Sequence, residues 1–131
     1  MAELKLLHDI SELTDFNLDT EREWIDGYCS VVGDMLVNDK IKEMKLYHHH
    51  KEVTCHFHSV FVSYLTYKAS VKFNCNVIDA TRAALLHDFY LYDWHITKHD
   101  ELHAWYHPKV AKINAEKYFG DLTLMQKDMI L

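Results

Sequence analysis

The chain has 131 residues, enough for one compact domain with one hydrophobic core, and we predict a single domain over residues 1–131. Hydrophobic residues make up 49% and charged residues 26%, which excludes an intrinsically disordered chain. The net charge of −6 with neutral histidines argues against a nucleic-acid partner, because a phosphate track needs clustered lysine and arginine.

The apolar runs are too short to span a bilayer, and charges interrupt the N-terminal stretch where a signal peptide would be apolar. We therefore expect a cytoplasmic protein with no membrane partner. The chain has only 3 glycines and 1 proline, which favours long helices with short connections. The predicted fold class is all-α, a compact multi-helix bundle.

The N-terminal third predicts an arm over about residues 1–18 and then a helix. Asp19-Thr20-Glu21 resembles a helix start, and the apolar residues that follow have the 3–4 spacing of an amphipathic helix. Asn38-Asp39 ends this helix, and Asp39 begins a short one. The apolar positions of the first helix are Trp24, Ile25, Tyr28, Val31, Val32, Met35 and Leu36.

Two further helices are predicted in the middle of the chain. The first runs from about Thr54 to Phe73, and the second begins at Val77 or Asp79 after an Asn74-Cys75-Asn76 loop. The predicted inner face of the first holds His58, Phe61, Val62, Leu65 and Ala69. The second carries a stripe of small residues that ends in an imidazole, namely Ala80, Ala83, Ala84 and His87.

The C-terminal part predicts a long loop over 92–106 and then two helices. Pro108 fits the first turn of a helix through Val110, Ile113, Asn114 and Tyr118 that stops at Gly120. Thr123 can cap a last segment from Leu124 to Leu131. The apolar pattern is unfinished at Leu131, which favours a chain that continues beyond this sequence.

Histidine and aspartate at the ends of these elements suggest a metal site. His87-Asp88 ends the apolar run of the small-residue helix, while His58 and His107 lie on or beside neighbouring helices. Imidazole and carboxylate together can hold a divalent metal, which points to a metal-dependent hydrolase. Ordinary structural roles stay open for each residue: a helix-end pair for His87 and Asp88, a buried histidine at position 58, and an N-cap or loop residue at position 107.

Three motifs in this order resemble the HD superfamily of metal-dependent phosphohydrolases: His58-Ser59-x-x-Val62, then Leu85-Leu86-His87-Asp88, then His107-Pro108 before a helix. The wider stretches 83–95 and 107–111 look like small bacterial HD-domain proteins, and the resemblance covers about residues 40–131. It implies an all-α bundle of HD-domain type with a metal at its centre. The implied metal ligands are His58, His87, Asp88 and His107, of which Asp88 and His107 would also serve catalysis.

The chain departs from the family pattern downstream. HD proteins normally supply a further aspartate from a later helix, and neither Asp121 nor Asp128 stands at that place. Three explanations stay open: the sequence is part of a longer protein, the site is completed in another way, or it has lost catalysis. Many also place a lysine soon after the His-Asp pair, where this chain has Phe89-Tyr90. His50, Asp93 and His95 are candidates for orienting a ligand or contacting substrate phosphate, with a polar loop as the ordinary alternative.

Two functions of different class follow. The first is a phosphohydrolase acting on a phosphomonoester or nucleotide, whose partner is a phosphate-containing small molecule. The alternative is a catalytically incomplete HD-like domain that binds metal or nucleotide as a sensor or interaction module. The ligand types admit Mn, Mg, Fe, Co, Ni or Zn. An exposed apolar end near Leu131 would favour a homodimer.

Overall fold

The computed structural model describes residues 18–50, 53–91 and 103–131, and these are mostly helical, which confirms the all-α class. The predicted arm lies outside the described residues except at Leu18, and residues 92–102 of the predicted loop over 92–106 lie outside them as well. The last part of that loop, residues 103–106, is helical, so the prediction was wrong there. The described α-helices are α1 (Leu18–Leu36), α2 (Asp39–Glu43), α3 (Cys55–Lys72), α4 (Val77–Leu86), α5 (His103–Phe119) and α6 (Leu124–Ile130). A 3₁₀ turn (Met44–Leu46) and two short strands, β1 (His48–His50) and β2 (Val53–Thr54), lie between α2 and α3.

Side-chain caps explain where four of the helices begin. The side chains of Asn38, Thr54, Asn76 and Thr123 each accept a hydrogen bond from a backbone N–H in the first turn of the following helix. At α6 the Gln126 side chain also accepts from the Thr123 backbone, which completes a capping box. The polar residues between the apolar stretches therefore set the helix starts. The cap at Thr123 was predicted, whereas for α2 and α3 only the approximate starts, at Asp39 and about Thr54, were predicted.

The two short strands lead the chain into α3. They pair antiparallel with His48 opposite Thr54 and His50 opposite Val53, and the register is irregular between the two pairs. The backbone N–H of Cys55 donates to the carbonyl of Tyr47 at 2.7 Å. The start of α3, which carries His58, is thus fixed against the segment before the strands.

Helix α4 lies at the centre of the described fold, where it packs against α1, α3, α5 and α6. Its predicted stripe of small residues is confirmed, because Ala80, Ala83 and Ala84 are all buried. Thr81 and Leu85 are fully buried as well, so the helix is covered on most of its circumference. Small side chains allow neighbouring helices to approach closely. The C-terminal end of this central helix delivers His87 and Asp88.

The predicted inner face of α3 was wrong. Leu65 is 41% exposed and Ala69 is exposed as well, whereas the residues that pack into the core, such as Ser63 and Tyr64, lie on a different face of the helix. Apolar periodicity failed here because this face includes buried serines. His58 consequently lies at the border of the buried face, with 29% of its side chain exposed. The buried residues of α3 are Cys55, Ser59, Val60, Ser63, Tyr64 and Ser70.

Helices α1 and α3 pack through tyrosines. The Tyr28 hydroxyl is hydrogen-bonded to Ser63 Oγ at 2.5 Å in the core, which explains why this serine is buried. Gly27 allows the closest approach, because a Cβ atom there would lie 2.1 Å from the hydroxyl oxygen of Tyr67. Tyr67 in turn packs edge-on against the rings of Trp24 and Tyr28.

A charged network lies at the border of the same interface. Lys68 Nζ contacts both carboxylate oxygens of Glu21 at 2.8 and 2.9 Å, and the Tyr64 hydroxyl donates to the same carboxylate. Burial opposes ionisation of Glu21, but the hydrogen bonds from Lys68 and Tyr64 and the lysine charge outweigh it and lower the pKa of Glu21. The ionised carboxylate therefore joins the two helices.

Helix α5 begins at His103 rather than at Pro108, so the predicted start was wrong. Pro108 lies in the second turn of the helix, where it cannot donate a backbone hydrogen bond and its ring crowds the carbonyl four residues earlier. The helix turns Ala111 and Ala115 fully into the core, while Ile113 is 60% exposed. It ends before Gly120, whose φ of +86° suits a residue without a Cβ atom.

A shared hydrophobic core joins residues from α1 to α6, including Ile25, Leu85, Ala111 and Ile130. Helix α6 contacts α4 and α5 and buries Gln126 and Ile130. The single-domain boundary at 1–131 stays a prediction. Among the described helices, none has the length and apolar content needed to cross a membrane.

Candidate metal centre

His87 and Asp88 lie in the turn that directly follows α4. His87 is the C-cap residue with helical backbone angles, and Asp88 is the next residue. Asp88 is only 6% exposed, although it carries a carboxylate. A buried carboxylate is unfavourable unless it is paired or coordinates a metal. The surroundings of Asp88 therefore decide what the site can do.

Two imidazoles approach the same oxygen of Asp88. His87 Nε2 lies 3.1 Å from Asp88 Oδ2, and His58 Nε2 from α3 lies 3.5 Å from it. The His58 and His87 rings are 5.4 Å apart between centroids. One ligand atom from each of the three residues lies within 4.8 Å of the others. This His58–His87–Asp88 group could hold a metal ion.

His107 approaches the other oxygen of the same carboxylate. Its Nε2 atom lies 3.5 Å from Asp88 Oδ1, and a quarter of its side chain is exposed. The Tyr90 ring packs edge-on against the His107 imidazole with centroids 5.6 Å apart. Asp88 is thus the common partner of three histidines that come from α3, from the end of α4 and from α5.

The ring of His87 is oriented by the backbone of its own helix. Nδ1 lies 2.5 Å from the carbonyl oxygen of Ala84, and because a carbonyl only accepts, Nδ1 carries the proton of this hydrogen bond. In the neutral imidazole Nε2 then keeps the lone pair and faces Asp88. A backbone carbonyl that fixes the tautomer in this way is typical of metal-ligating histidines.

The electrostatics of the pair favour charges of opposite sign in the metal-free protein. Burial opposes the ionisation of Asp88, but the hydrogen bond and charge of His87, with the charges of His58 and His107, lower the pKa of Asp88. Burial also opposes the protonation of His87, and the hydrogen bond and charge of Asp88 outweigh it and raise the pKa of His87. A metal ion would therefore compete with a proton at His87 while finding Asp88 ionised.

The donor set fits a divalent metal. Imidazole nitrogens suit Zn, Fe, Co and Ni, and a carboxylate oxygen adds a negative, hard ligand. Catalytic metal sites commonly use three protein ligands and leave further positions for water and substrate. Within the described residues Asp88 is the single carboxylate of the group. The identity of the metal stays a prediction.

The other predicted site residues are not brought into this group by the described structure. Asp93 and His95 lie outside the described residues, and so does the side chain of His50, whose backbone forms the end of β1. Their predicted contacts with a ligand or a substrate phosphate therefore stay predictions.

The sequence analysis missed the role of Asn114. Its side-chain amide donates to the carbonyl oxygens of Phe89 and Tyr90, immediately after Asp88, at 3.0 and 3.1 Å. The signal in the sequence is an amide side chain on α5 beside the buried small residues Ala111 and Ala115. A polar residue next to a face that is otherwise built of small apolar ones indicates a specific hydrogen-bond partner.

Comparisons with known proteins do not assign the chain to a family. No protein-family model matches it, and searches of curated proteins and of solved structures find no match. A function is therefore argued from the residues that the fold brings together, namely His58, His87, Asp88 and His107.

Proposed function

We propose that this chain is a metal-dependent phosphohydrolase of HD-domain type that acts on a phosphomonoester or nucleotide. The observation that carries the proposal is the convergence of His58 Nε2 and His87 Nε2 on one oxygen of the buried Asp88. A divalent metal held by these three residues would supply positive charge to a phosphoryl oxygen and lower the pKa of a water.

The protein's own groups have separate roles in this proposal. His58, His87 and Asp88 hold the metal, and the Ala84 carbonyl keeps the His87 ring in the tautomer that presents Nε2. His107 lies on the opposite side of the Asp88 carboxylate, where its partly exposed imidazole can contact a phosphate oxygen or a second cation. Asp88 links both sides of the site.

A cytoplasmic location is part of the same proposal. Cys29, Cys55 and Cys75 form no disulfide with one another, as expected in a reducing compartment where phosphate esters and nucleotides are available. A charged phosphate substrate is favoured over an apolar one because histidines and a metal would supply positive charge at the site of a chain whose net charge is −6.

A binding module is the second candidate function. It is favoured by the presence of a single carboxylate in the candidate group among the described residues. In addition, the guanidinium of Arg82 donates to Asp34 and to the Val31 carbonyl, so these groups rather than a substrate phosphate occupy its donors. A site with one carboxylate can bind metal as a sensor without promoting hydrolysis.

Hydrolysis assays on metal-loaded protein separate the two functions. We expect release of phosphate from para-nitrophenyl phosphate or a nucleoside monophosphate with Mn²⁺, Co²⁺ or Ni²⁺, and its loss in Asp88→Asn. Asp128→Asn, which alters an exposed acid on α6, is the matched control and should keep full activity. If the protein binds metal in proportion to protein and still releases no phosphate from either substrate, the binding module is the function.

A further inference from the structure

The helix that carries His107 is tied to the turn that carries Asp88. The Asn114 amide donates to the backbone carbonyls of Phe89 and Tyr90. Carbonyls just beyond a helix end have no partner within the helix and need one from elsewhere. Asn114 lies two helical turns after His107 on α5, so both side chains project from the same side of the helix. These two hydrogen bonds thus hold α5 against the turn that follows Asp88.

Tyr90 connects the same turn to the third element of the site. Its side chain is buried, its ring packs against the His107 imidazole, and its hydroxyl lies 3.0 Å from Cys55 Sγ. Cys55 is the first residue of α3, one helical turn before His58. Tyr90 therefore contacts α3 and α5, the two helices other than α4 that bring a histidine to Asp88.

The backbone of this turn would not hold its shape unaided. Leu91, directly after Tyr90, has a φ of +57°, a left-handed conformation that costs a residue with a Cβ atom about 1–2 kcal/mol. Such a conformation persists only where surrounding contacts impose it. The Asn114 hydrogen bonds and the Tyr90 packing are contacts of that kind.

We propose that Asn114 is a positioning residue that, by holding the Phe89–Tyr90 backbone, sets the placement of Asp88 relative to His107. The expected effect on metal binding rests on the proposed metal function, whereas the hydrogen bonds from Asn114 to the turn do not. Asn supplies two N–H donors without a charge, which suits two neighbouring carbonyls. Leucine has a similar size and no donor, aspartate presents only acceptors to the same carbonyls, and glutamine keeps the donors on a longer stem.

A Co²⁺ titration followed by visible absorption tests the consequence. Losing a residue that orients ligands typically weakens metal binding ~10–100-fold, so Asn114→Leu should raise the Kd in that range and alter the absorption bands. Asn114→Gln should recover part of the affinity. In an Asp88→Asn background, Asn114→Leu should have a much smaller effect, because the carboxylate ligand whose placement Asn114 sets is already lost. Ile113→Ala, at the exposed neighbouring position, should bind as the wild type does.

The proposal is overturned if Asn114→Leu binds Co²⁺ like the wild type. It is also overturned if the variant loses the same factor with and without the Asp88 carboxylate, because a general loss of folding would act equally in both backgrounds. Circular dichroism identifies variants that fail to fold, and Asn114→Gln then takes the place of the leucine variant.

Hydrogen–deuterium exchange of the metal-free protein tests the geometry separately. Asn114→Leu should speed exchange at least tenfold in residues 87–91, with little change in the interior of α3. Unchanged exchange there would refute the positioning role even if metal binds. If the wild type takes up no Co²⁺ while the exchange changes as expected, the proposed metal function fails and the structural role of Asn114 stands.

Discussion

Replacing Asp88 by asparagine is the sharpest single change that the site offers. Asparagine has nearly the same size, so the change removes the charge and one ligand oxygen from the centre of three imidazoles at 3.1 to 3.5 Å. Structural zinc sites gain ~10–16 kcal/mol from four ligands, so one ligand contributes about 3 kcal/mol, or ~100-fold in Kd. We therefore expect Asp88→Asn to weaken metal binding by about that factor.

Thermal unfolding with and without metal measures this loss. At a metal concentration of 100 times the wild-type Kd, binding stabilises the protein by about 2.7 kcal/mol, which corresponds to roughly 10 °C in Tm for a chain of this size. At the same concentration the variant should gain only about 0.4 kcal/mol, or roughly 1–2 °C. Each protein is compared with its own metal-free form, so differences in intrinsic stability cancel. An equal shift in both proteins would refute the assignment of Asp88 as a ligand.

Three further predictions address the charges and the packing. Metal affinity should fall as the pH is lowered through the pKa of His87, because protons then compete with the metal for Nε2. Asp88 raises this pKa above 6.5. A Kd that does not change in isothermal titrations between pH 6 and 8.5 would contradict this. Since the folded-state pKa of Glu21 is lowered, its contact with Lys68 contributes stability above pH 4.5 that is lost as the pH falls through the folded pKa. In urea unfolding, Glu21→Gln should therefore be less stable than the wild type at pH 7, and the difference in free energy of unfolding should disappear in acid. A difference that stays constant with pH would contradict this. Gly27→Ala should destabilise the fold by about 1–2 kcal/mol despite the higher helix propensity of alanine, and less so in a Tyr67→Phe background that lacks the clashing hydroxyl. A variant as stable as the wild type would show that the Tyr67 side chain moves aside without cost.

Local signals explain the part of the fold that the sequence predicted. Asn38, Thr54 and Thr123 are side-chain caps, and the residues around them already define the helix starts without tertiary information. The small-residue stripe of α4 also reads directly as a helix that others approach closely. Four neighbouring helices pack against these small side chains, which places α4 at the centre of the described fold.

The errors arose where local patterns and tertiary contacts disagree. Apolar periodicity placed Leu65 in the core and left Ser63 outside, because a serine is buried only when a partner such as the Tyr28 hydroxyl is available. Pro108 suggested a helix start because proline is disfavoured after the first turn, yet α5 begins one turn earlier and continues through it. Neither fact can be inferred from one segment alone.

The candidate site was predicted in its residue types but not in its geometry. Spacing along the chain indicated that His58, His87 and Asp88 belong to neighbouring helices. It did not indicate that His58 and His87 approach the same oxygen of Asp88 while His107 approaches the other. The contact of Asn114 with the turn after Asp88 depends on how α5 packs, which no local pattern specifies.

Metal content tests the central claim most directly. Wild-type protein and a His87→Ala/Asp88→Ala variant are each dialysed against Co²⁺, Mn²⁺ or Zn²⁺ and then against metal-free buffer, and the retained metal is measured by elemental analysis. The wild type should retain at least one ion per chain for one of these metals, whereas the folded double variant should retain none. Equal metal content in the two proteins would contradict a site held by His58, His87 and Asp88.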